Sequence, residues 1–166
     1  SLIVLSYKRF KFRQAASFPE GRFVRDGEAT VLLSRDLPLG RFLSVGCEDF
    51  GTISQTAYRT KLFAPTKKGF ADVSAKHPGL YAAEIKRKEA ALARFKDDLQ
   101  KNAGEYLGLT LSMYYDYAAR GEARQGWERQ KEFFKLPAYA PAKVQACFDA
   151  MRQDLRGRLT IPTDWP

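Results

Sequence analysis

Histidine is almost missing from this chain: His77 is the only one among 166 residues. That excludes every zinc site built on paired histidines and leaves any histidine-based nucleophile system dependent on one side chain. Cysteine is nearly as scarce. Cys47 and Cys147 stand far apart with no metal-type spacing, so they read as two buried thiols, not disulfide-bonded and not catalytic, in a reducing cytoplasm. No stretch approaches the roughly 20 apolar residues of a membrane span. The opening Leu2-Ile3-Val4-Leu5, without an initiator Met and followed by basic residues, has the order of a trimmed anchor's end and its cytoplasmic positive flank, which would associate the protein with the inner membrane. Walker-type phosphate loops, nucleophile elbows and zinc signatures are missing too, as are repeats and low-complexity tracts. Acidic residues are in deficit, with 19 Asp and Glu against 28 Lys and Arg, a formal charge of +9.

The positive charge is unevenly placed. Residues 1–76 hold 13 Lys and Arg against 7 Asp and Glu, while residues 77–166 hold 15 against 12. From Lys8 to Arg25 six cations meet one anion, Glu20. Such a field favours nucleic acid, an anionic membrane or an acidic protein, and says nothing of fold. Its densest stretch is Tyr7-Lys8-Arg9-Phe10-Lys11-Phe12-Arg13. Read as one strand, it sends Phe10 and Phe12 to one face and Tyr7, Arg9, Lys11 and Arg13 to the other, with Lys8 out of phase. That strand is either an edge guarded by its own charges or a row of cations for a polyanion.

The first 64 residues read as four or five strands. Asp26-Gly27 within "RFVRDGEATVLL" marks a hairpin, because Gly takes the positive φ that such turns need. "RFLSVGC" and "TISQTAYRTKLF" supply further strands, and Phe18-Pro19-Glu20-Gly21 and Leu37-Pro38-Leu39-Gly40 read as turns. Residues 64–79, rich in Pro, Gly and Lys, read as a connection. Helices follow over 79–157. Tyr81, Ile85, Leu92, Phe95 and Leu99 recur at helical spacing between Leu80 and Asn102. Gly104 to Arg120 makes an aromatic second helix with Tyr106, Met113, Tyr114 and Tyr117, and Gly121 separates it from a third over Glu122 to Lys135. Pro141 opens a fourth, whose Val144, Cys147, Phe148, Met151 and Leu155 share one face, and "RLTIPTDWP" reads as an edge strand. The expectation is a single α+β domain over 1–166, an antiparallel sheet of four to five strands followed by about four helices packed on it.

Catalytic constellations are thin. Cys47 and His77 make a nucleophile and base only if the fold brings them together, and His77, before Pro78, reads as a solvated loop residue. Glu48-Asp49 with Asp36 offers hard oxygen ligands for Mg²⁺, although adjacent acids at a turn are ordinarily solvated. Asp72 with Glu84-Ile85-Lys86 has the acid, acid-x-Lys order of one nuclease class. That class carries the second acid and the lysine on a strand, and here they fall within a helix.

Residues 141–154, "PAKVQACFDAMRQD", are similar to the helix near the start of sulfiredoxins and of the nuclease-like domain of ParB proteins, and Gly121-Glu122-Ala123-Arg124 resembles the Gly-Glu-Arg-Arg box of ParB. Gly46-Cys47 matches two letters of the sulfiredoxin Gly-Gly-Cys-His-Arg box, whose His-Arg is replaced here by Glu48-Asp49. In that group the helix precedes the box, whereas here it comes last. The resemblance implies an ATP- or CTP-type nucleotide at a helix N-terminus, with Mg²⁺, and a DNA partner. Some members of the group cleave DNA, and a bacterial plasmid fertility-inhibition factor is one such setting. Carried onto this chain, the resemblance implies Glu122 as catalytic residue and Gly121, Arg124 and Arg129 as nucleotide contacts.

Two functions follow. The first is a bacterial nucleic-acid-binding protein which, in the terms of the resemblance, is a nucleotide-regulated, ATP-dependent DNase. Arg9, Lys11 and Arg13, with Arg22 and Arg25 from the neighbouring hairpin, would track phosphates, and Tyr7 would stack on an unpaired base. The second is a non-enzymatic adaptor or inhibitor docking an acidic partner protein at the inner membrane face through the aromatic helix pair, Tyr114 to Phe134. The plainer reading of those aromatics is core.

Overall fold

The basic opening of the chain folds back on itself. In the computed structural model, which describes residues 1–8, 11–40, 57–95, 99–135, 138–139 and 141–166, β1 (Leu2–Lys8) and β2 (Lys11–Phe18) form a two-stranded antiparallel hairpin. Tyr7 stands in register with Phe12, Ser6 with Arg13 and Lys8 with Lys11, and a bulge shifts the pairing between Val4 and Leu5. The reading of residues 7–13 as one strand is therefore corrected: the run reverses direction between Lys8 and Lys11. Alternation of side chains cannot by itself reveal a turn placed between two equally polar, aromatic-rich halves.

A second hairpin nucleates the larger sheet. β3 (Arg22–Asp26) and β4 (Ala29–Asp36) pair from Asp26↔Ala29 to Arg22↔Leu33. Gly27 holds φ 60° at the first of the two turn residues, where a type II′ turn requires it. The expected hairpin at Asp26-Gly27 is thus present, as are the turns at Phe18–Gly21 and Leu37–Gly40, each closed by a bond from the glycine N–H to the first carbonyl. β5 (Arg59–Thr66) and β6 (Gly69–Asp72) complete an antiparallel sheet of order β3-β4-β5-β6. Residues 64–79, expected as a plain connection, carry β6 and a 3₁₀ turn at Ser74–Lys76. The strand "RFLSVGC" lies outside the described residues.

β4 is buried on both faces. Val31 and Leu33 meet Leu62 and Tyr81 on the helix side, with Val24 packed against them. On the outer face Leu32 stands in register with Phe63, and the ring of Phe18 lies 5.0 Å from both Phe63 and Phe70. Pro19 then accepts the Arg35 N–H at 3.1 Å and the Ser34 hydroxyl at 2.8 Å. These contacts seat the base of the β1–β2 arm on the outer face of the sheet.

The helical half is α1 (Pro78–Phe95), α2 (Leu99–Ala119), α3 (Ala123–Phe134) and α4 (Ala142–Arg158). The α+β architecture is as expected: among the described residues a four-stranded antiparallel sheet is followed by four helices, with the β1–β2 hairpin as a separate two-stranded sheet before it. The helix foreseen from Leu80 to Asn102 is instead two, because Leu99 keeps the apolar phase of α1 and periodicity does not register the break. Tyr106, Met113, Tyr114, Tyr117, Trp127, Phe133 and Phe134 are all buried in one core with Val144, Cys147, Phe148, Met151 and Leu155 of α4. The aromatic helix pair is core, not an open docking face. Among the described residues no helix is long and apolar enough to cross a membrane.

Two further expectations are overturned. Cys147, on the buried face of α4, is disulfide-bonded, whereas scarcity and spacing had indicated free thiols; Cys47 lies outside the described residues. The C-terminal stretch adds no strand. Side-chain donors hold it as a strap: Arg156 reaches the carbonyls of Pro162 and Trp165, while Arg152 and the Trp127 indole reach that of Pro166.

Gly126 marks the closest approach of α3 to α2. A Cβ there would stand 2.6 Å from Tyr117 Cβ, whereas one on Gly157 would meet nothing within 4 Å. Gly126→Ala should therefore destabilise by about 1–3 kcal/mol in spite of the better helix former, and Gly157→Ala should stabilise by about 0.5–1 kcal/mol. Urea denaturation of the two variants beside the parent checks both signs.

Candidate functional site

The arm carries exposed cations on one strand. Lys11 and Arg13 lie exposed on β2, and neither has an ion pair among the described residues. Ser6 Oγ ties the two strands by donating to the Arg13 carbonyl at 3.3 Å. Arg9 lies outside the described residues, and for Tyr7 only its place in β1 is described. Arg22 and Arg25, expected to act with the arm, do not act together. Their register with Leu33 and Thr30 sends Arg22 to the helix side of the sheet and Arg25 to the outer face. Period-two alternation makes that split unavoidable for residues three apart on a strand.

The second expected site is the start of α3. Gly121, at φ 80°, ends α2: its N–H bonds Ala118 O at 3.0 Å, and the Glu122 N–H bonds Tyr117 O at 2.9 Å. This is the Schellman arrangement, which needs a left-handed residue just past the helix. A nucleotide at this helix N-terminus would not find the Glu122 N–H free, because that donor closes α2. The Glu122 carboxylate receives Arg120 at 2.9 Å. Arg124 is paired with Glu128 at 3.1 Å along the same helix. Arg129 bridges to Glu89 of α1 at 3.0 Å and to Glu132. The three residues face separate carboxylate or guanidinium partners and do not converge on one point.

His77 is not a solvated loop residue. Its Nδ1–H donates to Asp26 Oδ2 at 2.7 Å, joining the β3–β4 turn to the start of α1. Asp36, considered as a metal ligand, takes a two-point contact from Arg59 at 3.0 and 2.6 Å, and Glu48 and Asp49 lie outside the described residues. Asp72 accepts the Ser74 N–H at 3.0 Å, and Glu84 on α1 is held by Arg87 at 2.6 Å, which leaves the acid, acid-x-Lys order without a shared site.

A charged junction between the sheet and α1–α2 was not foreseen. Lys88 and Asp116, with side chains 1% and 0% exposed, meet at 2.5 Å. Burial pushes the Asp116 carboxyl up to about 6, although Lys88 pulls the other way. Lys88 Nζ also lies 4.7 Å from the centre of the Tyr58 ring, and Arg35 stacks on that ring at 4.3 Å. Arg35 reaches Glu84 at 3.6 Å, and Arg87 donates to the Tyr58 hydroxyl at 3.2 Å. An open cleft of about 420 Å³ beside it is lined by Glu20, Arg35, Asp36, Leu37 and Tyr58. Lys88 falls three residues after Ile85 and four before Leu92, squarely on the apolar stripe of α1; a lysine in that phase was the available signal.

Comparison with protein-family models, curated proteins and solved structures finds no match. The likeness of residues 121–124 and 141–154 to the ParB and sulfiredoxin group thus rests on those residues alone.

Removing one member of the buried pair strands the other charge, so Lys88→Met or Asp116→Asn alone should cost about 3–5 kcal/mol, while Lys88→Met with Asp116→Leu should cost far less. The folded Asp116 holds its proton more tightly than the ordinary value of 3.8 would allow. The stability it gains by binding that proton is therefore full below that value and is lost as pH rises to about 6. Asp116→Asn should flatten that part of the curve, as read by thermal melts from pH 3 to 8.

Proposed function

We propose that the chain is a binding module whose β1–β2 arm holds nucleic acid without sequence preference. One observation carries this reading: the arm presents two solvent-facing cations that no described carboxylate holds. Arg35, Arg59, Arg87, Arg120, Arg124, Arg129 and Arg158 each hold a carboxylate. Lys11 and Arg13 on the arm are exposed with no ion pair among the described residues. Their charge is available to phosphates, and contacts of that kind give affinity rather than specificity. The nucleotide-regulated DNase implied by the family likeness is not carried into the proposal, since Glu122, Arg124 and Arg129 are each engaged elsewhere.

A second reading draws on different facts. Ile3 and Leu5 of β1 are 55% and 58% exposed, and aliphatic side chains beside cations suit an anionic lipid surface. The disulfide at Cys147 also favours an oxidising compartment over the reducing cytoplasm.

The test compares fluorescent single- and double-stranded oligonucleotides with anionic phosphatidylglycerol vesicles at two salt concentrations. Lys11→Ala with Arg13→Ala should weaken nucleic acid binding on every sequence and lower the salt slope by roughly one unit for each phosphate the arm no longer neutralises. Unchanged binding by that variant refutes the arm. Binding of vesicles alone, reduced by Ile3→Ser with Leu5→Ser, transfers the function to the membrane surface.

A further inference from the structure

We propose that the groove between β3 and α1 receives an extended segment of a partner protein as a fifth strand, anchored by one apolar side chain with a carboxylate two residues away. The inference is independent of the arm.

Three features meet there. Among the described residues β3 is the outer strand of its sheet, and one edge of its backbone has no partner strand there. The two-residue turn makes Asp26↔Ala29 a hydrogen-bonded pair, and alternation along the ladder then turns the N–H and C=O of Phe23 and Arg25 outward. Beside that edge lies a cavity of about 120 Å³, walled by Val24, Leu33, Leu62, Leu80 and Tyr81 and also lined by Thr60. Its size suits one aliphatic or methionine side chain. Thr60 is only 3% exposed, and its Oγ1 has no hydrogen-bond partner among the described residues, which leaves a polar contact for an incoming group.

Charge names the occupant. Arg22 and Glu84 line the same cavity. Glu84 is already held by Arg87 and Arg35, whereas Arg22 is exposed and has no ion pair among the described residues. An added strand places alternate side chains on the helix side, so an apolar anchor in the cavity sets the residue two positions away within reach of Arg22. A carboxylate is the group that satisfies it. The Asp26–His77 contact closes the other end of the groove. Backbone bonds along the edge would supply affinity, and the pocket and Arg22 would supply selectivity.

The experiment is selection of a phage-displayed library of random seven-residue peptides on the whole oxidised chain, followed by fluorescence polarisation with the best peptide made synthetically. The expected result is enrichment of an acidic residue two positions from a Leu, Ile, Val or Met. Phe23→Pro removes an outward N–H without breaking a ladder bond and should weaken the peptide at least tenfold; Phe23→Thr, which keeps the N–H, should change it less than twofold. Arg22→Glu should weaken it at least tenfold, and Lys11→Ala with Arg13→Ala should change it less than threefold. Circular dichroism confirms the fold of each variant. No enriched pattern, enrichment of basic peptides, or equal binding by Phe23→Pro and Phe23→Thr overturns the proposal.

Discussion

Lys88 and Asp116 put two opposite charges where water does not reach, and the placement of α1 depends on their meeting. Each ion costs several kcal/mol to desolvate, so the pair is tolerable only in one geometry. The alternatives around Lys88 are poor: the Ser112 carbonyl stands at 3.5 Å and the Tyr58 ring at 4.7 Å. Asp116 is no better served, because its second oxygen has no hydrogen-bond partner among the described residues. A shift of α1 along α2 by one turn would leave both charges buried and unmatched. The pair thereby fixes the register of α1, and with it the height of Tyr81, whose hydroxyl donates to the Thr60 carbonyl at 3.1 Å. The sheet is thus bound to the helices at the wall of the β3–α1 cavity.

What could be read from the sequence, and what could not, divides along the range of the interaction. Local chemistry was legible. Asp26-Gly27 gave the hairpin because the turn needs a positive φ, and the five α4 positions from Val144 to Leu155 gave its buried face because they share a helical phase. Gly121 does stand between two helices, yet its role as a helix stop takes the N–H groups of Gly121 and Glu122. Long-range pairing was not legible. Nothing in the spacing of Arg129 and Glu89, or of His77 and Asp26, announces that they meet. The arm is the mixed case: its charges and rings were evident, while the reversal between Lys8 and Lys11 was hidden by the similarity of the two halves. Arg129 shows the consequence, since a basic residue's availability depends on whether the fold brings it a carboxylate.

The free strand edges show how differently the fold treats its unpaired backbone. β2 carries Lys11 and Arg13, the charges that commonly guard an edge against adventitious pairing. β6 is four residues long and follows Lys67-Lys68. β3 also has two arginines, but alternation sends them to opposite faces, and only Arg22 stands beside a cavity. An edge with a pocket next to it does not need the same protection as one without, because the pocket favours a chosen side chain over any strand.

The same alternation bears on how the two proposed surfaces would act together. Arg25 faces outward, on the side of the sheet where Phe18 seats the arm, and Arg22 faces the helix, so neither occupant takes the other's contact. Both occupants are nonetheless anionic, and the sheet between them is one strand layer thick. At physiological salt charges couple over about 8 Å. A bound acidic segment would therefore lower the positive potential felt by a polyanion on the arm, and the polyanion would oppose the segment equally, since coupling between binding sites is reciprocal. Such opposition needs no change of shape. It follows from two anions held on opposite faces of one sheet.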